Sequence, residues 1–198
     1  MEVLRVAGAA LCGFGFYILA LERLRARGLR FQVFDPVCMG LIAGPLAVGS
    51  IVVGGAPFVS SIVLACVGVC AATDYQTGYI FNRVTGAAAT MLLCALLLER
   101  GLGQSLAGAL VCGGAFMLLF AITRGRGIGL GDVKLGAIVG AVGVHRGAVA
   151  LGFAFVFGAA TALAGLVLGY KRFGDSMPFA PYIAAGTCVS LAFGGWPL

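Results

Sequence analysis

The chain has 198 residues, of which 61% are apolar and 10% charged, and its mean hydropathy is +1.09. Average globular domains carry about 25% charged residues, so these charges are too few to cover a water-soluble protein of this size. The formal net charge is +6, but the basic residues lie between apolar runs rather than along one soluble face, which argues against nucleic-acid binding. The composition predicts a membrane protein.

Apolar runs long enough to enter or cross a bilayer follow one another along the whole chain. They predict an all-α, polytopic membrane helix bundle of about eight transmembrane helices, near residues 3–21, 36–54, 57–73, 84–99, 104–123, 132–144, 147–169 and 179–195. The first run lacks a small-x-small cleavage site and precedes four arginines, so we interpret it as a retained anchor. The sixth run is short enough to be partly re-entrant. Pro36, Pro57 and Pro178 are expected at helix starts, where a missing N–H costs little.

The basic residues predict how these helices are oriented. When the connections are assigned alternately to two sides, one side receives ten Lys and Arg residues and the other three. The positive-inside rule makes the richer side cytoplasmic. The loops that begin at residues 74 and 124 then face the cytoplasm, and both termini lie outside. We expect a single membrane domain over residues 1–198, with N-terminal helices and a short basic loop in residues 1–56 and a core in residues 57–196.

Two acidic residues stand at junctions between an apolar run and a predicted cytoplasmic loop. Asp74 follows an apolar run and precedes a polar loop, whereas Asp132 follows a loop with glycine at every second position from 125 to 131. A carboxylate at membrane depth is costly and usually marks function or a buried pair. The alternative is structural: Asp74 would face water at a helix end, and Asp132 would cap the next helix. The remaining acids are assigned to the terminus, to turns or to a helix cap: Glu2, Glu22, Asp35, Glu99 and Asp175.

Two aspartates on one membrane face suggest a catalytic dyad. Two close carboxyl groups cannot both ionise, so they share a proton. One then acts as general base on water and the other donates to the substrate carbonyl, which is aspartic-protease chemistry. This chemistry needs no metal, cofactor or nucleophilic side chain, and the single histidine, His145, falls on the opposite face. A proton- or ion-coupled transporter that uses Asp74 and Asp132 is the alternative.

Three segments resemble motifs of the type IV prepilin peptidase family. Asp74, Ile80 and Asn82 resemble its Asp-x5-Ile-Pro-Asn motif, residues 129–134 resemble Gly-x-Gly-Asp-x-Lys, and residues 177–182 resemble its Pro-Phe-Gly-Pro stretch. The resemblance covers residues 57–196. Presenilin-type and signal-peptide-peptidase-type proteases share the Gly-x-Gly-Asp element alone, so the other two segments favour prepilin peptidases.

The resemblance implies a function and a set of site residues. It implies that the substrate is a prepilin- or pseudopilin-like protein with a basic leader, cut on the cytoplasmic side just before an apolar helix. It also implies a setting in the prokaryotic cytoplasmic membrane, with membrane lipids as partners, no cofactor and no nucleic acid. The implied catalytic pair is Asp74 and Asp132, and the supporting residues are Gly129, Gly131, Lys134 and Asn82. Lys134 is expected to neutralise the dyad or contact a substrate carbonyl, unless it is only a cation at the membrane edge.

The chain departs from the family pattern at two places. Phe81 stands where the family usually has proline, so the loop after Asp74 is expected to have a different shape. Larger members carry a cytoplasmic domain with paired Cys-x-x-Cys motifs between the first two helices, and this domain is linked to N-methylation of the product. Residues 22–35 occupy that place here and contain no cysteine. We therefore expect a short form without the zinc module, and we expect it to leave the product unmethylated when it acts alone.

Overall fold

A computed structural model of the chain describes residues 13–22, 24, 25, 35–51, 57–99, 102–170, 172 and 174–193. All regular structure in these ranges is helical, which confirms the predicted all-α membrane bundle. The helices are α1 (Gly13–Glu22), α2 (Pro36–Ile51), α3 (Pro57–Thr77), α4 (Asn82–Glu99), α5 (Leu102–Thr123), α6 (Leu130–Gly140), α7 (Val144–Val167) and α8 (Ala180–Phe193). The predicted start of the first helix lies outside the described residues.

Helix α3 forms the centre of the bundle. By length and composition α3, α5 and α7 can cross a membrane, but 89% of the apolar window of α3 is buried inside the protein, against 22% in α5 and α7. Helices α2, α4 and α8 pack around α3, while α5, α6 and α7 form a neighbouring layer. The outward faces of α5 and α7 therefore meet lipid, and α3 is held in a protein environment that can accommodate a polar group.

Several helix boundaries differ from the predicted ones, for local reasons. Helix α3 continues to Thr77, because no residue breaks it before Gly78, which has a φ of +66°. Helix α6 has 11 residues and is too short to span a bilayer. Pro36 and Pro57 begin helices as predicted, whereas Pro178 precedes α8 by two residues.

Asp35 caps helix α2 as the sequence predicts. Its Oδ1 accepts a hydrogen bond from the backbone N–H of Val37 at 2.9 Å, which satisfies one of the donors left free at a helix start. The assignment of this acid to a structural role is confirmed.

Helices α5 and α6 cross at a pair of glycines. A Cβ added to Gly140 would overlap the backbone of Gly108 and lie 2.9 Å from the Cβ of Cys112. Close approach through small residues is how membrane helices gain packing energy when lipid removes the hydrophobic driving force. Glycine at position 140 therefore fixes how α6 sits on α5.

We predict that Gly140→Ala destabilises the protein by about 1–3 kcal/mol, because the methyl group forces the two backbones apart. The free energy of unfolding in mixed micelles measures this effect. Gly114→Ala is the matched control, since a Cβ at Gly114 would meet no atom within 4 Å. Equal stability of the two variants would contradict the prediction.

Three of the connections that the positive-inside rule assigns to the cytoplasmic side lie together at one end of the bundle. The segments after α3, α5 and α7 approach each other there and line a common cleft. At the other end, the hydroxyl of Ser190 in α8 donates to the carbonyl oxygen of Arg146 in α7 at 2.7 Å. His145 neighbours Arg146 in the first turn of α7, far along the helix from that cleft. The side of the membrane that each end faces stays a prediction.

Candidate active site

Asp74 projects from the last turns of α3 and is buried. Its Oδ2 accepts the backbone N–H of Ala180, the first residue of α8, at 3.0 Å, and the N–H of Phe179 also points to this carboxylate. The free N–H groups and positive dipole end of a helix N-terminus favour a negative charge. The third motif, residues 177–182, thus holds the aspartate of the first motif.

Asp132 lies in the first turn of α6 and is half-buried. Its Oδ2 accepts the backbone N–H of Gly129 at 3.0 Å, so the carboxylate is tied to the glycine loop that precedes the helix. The pKa of Asp132 is raised to about 6: burial raises it most, the hydrogen bond from Gly129 lowers it, and the nearby charge of Asp74 contributes to the rise. This carboxyl group therefore keeps its proton up to about pH 6, above the range of an ordinary aspartate.

Both aspartates line one open cleft of about 810 Å³ at the end of the bundle. The charge of Asp74 acts on Asp132 across this cleft and makes the second carboxyl group harder to ionise. The structure thus brings together the two residues that the sequence singled out. The cleft is completed by Tyr75 in the last turn of α3 and Gly78 after it, by residues 125–129 before α6, by Phe155 of α7 and by residues 174–179 before α8.

Residues 61–170 match the model of the type IV leader peptidase family. The chain belongs to this family. A protein of Burkholderia pseudomallei (strain 1026b), named prepilin leader peptidase/N-methyltransferase, is 36% identical over 181 residues, which cover 84% of this chain and 56% of that protein. A protein of the same name from Bacillus subtilis (strain 168) is 34% identical over 141 residues, which cover 69% of this chain and 54% of that protein.

The chain spans about half the length of the curated relatives it matches. No solved structure matches it. The part that matches the type IV leader peptidase family contains Asp74 and Asp132 with their surrounding motifs, while residues 177–182 lie beyond it. The contact between Asp74 and the N-terminus of α8 is therefore a link between the matched region and the segment that follows it.

Three glycines of the loop before α6 have separate structural roles. Gly125 has a φ of +73° and turns the chain after α5, where a side chain would be strained. Gly129 donates to Asp132, and Gly131 lets α6 start directly against Ile80, because a Cβ at Gly131 would lie 2.9 Å from the Cβ of Ile80. The first two motifs thus touch through Gly131.

Two charged residues in the cleft were not proposed as site residues from the sequence. Asp175 was assigned to a charged turn; it does lie in one, since its Oδ2 accepts the N–H of Arg172 at 2.8 Å, but it also lines the cleft. Arg126 of the glycine loop lines the cleft as well. The sequence contained one signal for each residue: Asp175 lies two residues before the third motif, and Arg126 lies between two of the loop glycines.

Lys134 and Asn82 do not line this cleft. The Nζ of Lys134 donates to the Oδ1 of Asn82 at 2.8 Å, and both side chains line a separate cavity. Residues two apart on an α-helix point roughly 200° apart, so Lys134 and Asp132 face different sides of α6. Phe81, in the position of the family proline, is buried in the core just before α4.

Proposed function

We propose that this protein is a membrane-embedded aspartic endopeptidase that removes the leader peptide of prepilin- or pseudopilin-like substrates at the cytoplasmic membrane face. The observation that carries the proposal is the presence of Asp74 and Asp132 in one cleft, with the charge of the first raising the pKa of the second. Family membership and the names of the similar proteins support the reaction and the class of substrate.

The unequal surroundings of the two carboxyl groups favour a division of labour. Asp132, with its pKa raised to about 6, holds the shared proton. Asp74, whose Oδ2 already accepts an N–H of the α8 N-terminus, acts as the base. It takes a proton from water while the water oxygen bonds to the scissile carbonyl carbon, and Asp132 gives its proton to the carbonyl oxygen.

Collapse of the resulting tetrahedral diol completes the reaction. Asp74 returns its proton to the amide nitrogen as the C–N bond breaks, and a diol hydroxyl gives its proton back to Asp132. The dyad then regains its starting protonation, so each turnover consumes one peptide bond and one water molecule. Both acids lie at one end of the bundle in an open cleft, which suits a peptide substrate better than an ion site near the bilayer midplane.

Purified protein incubated with a prepilin-like substrate tests the proposal. N-terminal sequencing of the product should locate the cut just before the apolar helix. An intact substrate after incubation with the folded enzyme, or a cut inside the apolar helix, would contradict it.

The pH dependence of cleavage should reflect the ionisation of Asp132. Since the pKa of its carboxyl group is raised to about 6, the fraction protonated falls as the pH rises through that value, and with it the donor to the substrate carbonyl. We expect kcat/KM of the free enzyme to decline above about pH 6, approaching tenfold per pH unit. A rate that increases steadily from pH 6 to pH 8 would contradict this assignment.

The cleaved product is expected to carry an unmethylated N-terminus when this enzyme acts alone, because residues 22–35 contain no cysteine for a zinc module. Mass spectrometry of the product, with methyl donor supplied, measures this directly. A mass increment of one methyl group on the new N-terminus, in the absence of any other enzyme, would refute the expectation.

A further inference from the structure

A second cavity lies between α4, α5 and α6, on the other side of α6 from the cleft. Its volume is about 500 Å³, and none of its lining residues also lines the cleft. Its walls are almost wholly apolar and include Leu92, Leu93 and Leu96 of α4, Leu106 of α5 and Ile138 of α6. We call this cavity the α4–α6 groove.

The α4–α6 groove opens to the outside of the bundle. The side chains of Leu93 and Leu106 are 50% and 51% exposed, although they line the groove. In a helical membrane protein such an outward-facing apolar opening meets lipid rather than water.

Four polar residues also line the groove, and Lys134 is the charged one among them: Asn82, Thr85, Ser105 and Lys134. Lys134 Nζ donates to Asn82 Oδ1 at 2.8 Å, so its partner is a neutral amide. Within the described part of the chain no Asp or Glu oxygen lies within ion-pair distance of Lys134. Asn82 is the first residue of α4 and Lys134 the fifth of α6, so both lie near the end of the bundle that holds the cleft. The groove therefore combines an apolar slot with a cation that lacks a counter-charge.

We propose that the α4–α6 groove binds an anionic phospholipid, with its phosphate on Lys134 and an acyl chain along the leucines of α4 and α5. Basic pockets between membrane helices bind anionic headgroups in this way. A peptide substrate fits less well, because helix α6 separates the groove from the aspartates, where a peptide bond to be cleaved must lie. The lipid site does not depend on the proposed peptidase activity.

Native mass spectrometry of the protein released from mixed micelles tests the proposal. The micelles contain phosphatidylglycerol and phosphatidylcholine with identical acyl chains. The wild type should retain one phosphatidylglycerol in preference to phosphatidylcholine. Lys134→Met should lower retention of phosphatidylglycerol about fivefold, as expected for one basic residue near an anionic headgroup.

A second variant fills the groove without changing charge. Gly86 lines the groove, and a Cβ there would meet no atom within 4 Å, so Gly86→Leu should place a side chain in the slot and reduce retention of both lipids. The matched controls are Arg172→Met, which removes an exposed cation elsewhere, and Gly114→Leu, which adds a leucine in open space away from the groove. Both should retain phosphatidylglycerol as the wild type does.

Three results would overturn the proposal. Equal retention of phosphatidylglycerol and phosphatidylcholine by the wild type would show that the headgroup charge is not recognised. Unchanged phosphatidylglycerol retention in Gly86→Leu would place any bound lipid elsewhere, even if Lys134→Met failed to fold. Weaker binding of an apolar-helix peptide by Gly86→Leu, with lipid retention unchanged, would identify the groove as a peptide site.

Discussion

Asp74→Asn and Asp132→Asn are each expected to reduce peptide cleavage by about 10³- to 10⁴-fold while the protein still inserts and folds. An amide can neither accept the proton of the attacking water nor hold the shared proton of the pair, so general acid–base catalysis is lost. Folding should survive in Asp74→Asn, because the oxygen of the introduced amide can still accept the N–H of Ala180, as the Asp74 carboxylate does at 3.0 Å. The measurement is the single-turnover cleavage rate with excess purified enzyme.

Asp175→Asn is the matched control for these two variants. It makes the same chemical change in the same cleft, but Asp175 contacts the backbone of its own turn rather than the other two carboxyl groups. We expect its cleavage rate to stay within about tenfold of the wild-type rate, the scale of one lost surface interaction. Near-normal cleavage by folded Asp74→Asn and Asp132→Asn proteins would remove the aspartic mechanism.

Helical topology made much of the cleft predictable from the sequence. Alternating connections between apolar runs put the segments after residues 74 and 124 on one side, so Asp74 and Asp132 were expected at the same end of the bundle, and the structure places them there. The cap at Asp35 follows from its position before Pro36. These features depend on local chemistry and chain direction, both of which a sequence contains.

Contacts between segments that are far apart in the sequence could not be predicted from it. The loop before α8 brings Asp175 into the cleft and the N–H of Ala180 to Asp74, and these contacts require a tertiary arrangement. The separation of Lys134 from Asp132 is different, because the helical repeat alone puts residues two apart on different faces. The spacing of the two residues was therefore enough to predict that Lys134 lies away from Asp132, and the structure places it in the α4–α6 groove.

Ala180→Pro is expected to lower kcat about 100-fold, because it removes the hydrogen bond from the first residue of α8 to Asp74. Proline has no N–H, so the hydrogen bond to Asp74 Oδ2 is lost, and its ring carbon occupies the position from which that hydrogen pointed. The first residue of a helix otherwise tolerates proline, so α8 should still form. A displacement of the reacting group by about 1 Å is enough for a loss of this size.

Pro181→Ala is the control for Ala180→Pro, since it alters the same turn but leaves the N–H of Ala180 in place. Its kcat should stay close to the wild-type value, and thermal melts of both variants should show that α8 still packs on α3 and α7. If folded Ala180→Pro protein cleaves substrate at the wild-type rate, the α8 N-terminus does not position Asp74 for catalysis. If Pro181→Ala loses activity to the same extent, the lower kcat results from a changed shape of the turn rather than from the lost N–H. Only a loss confined to Ala180→Pro supports a catalytic base that is held in place by the start of α8.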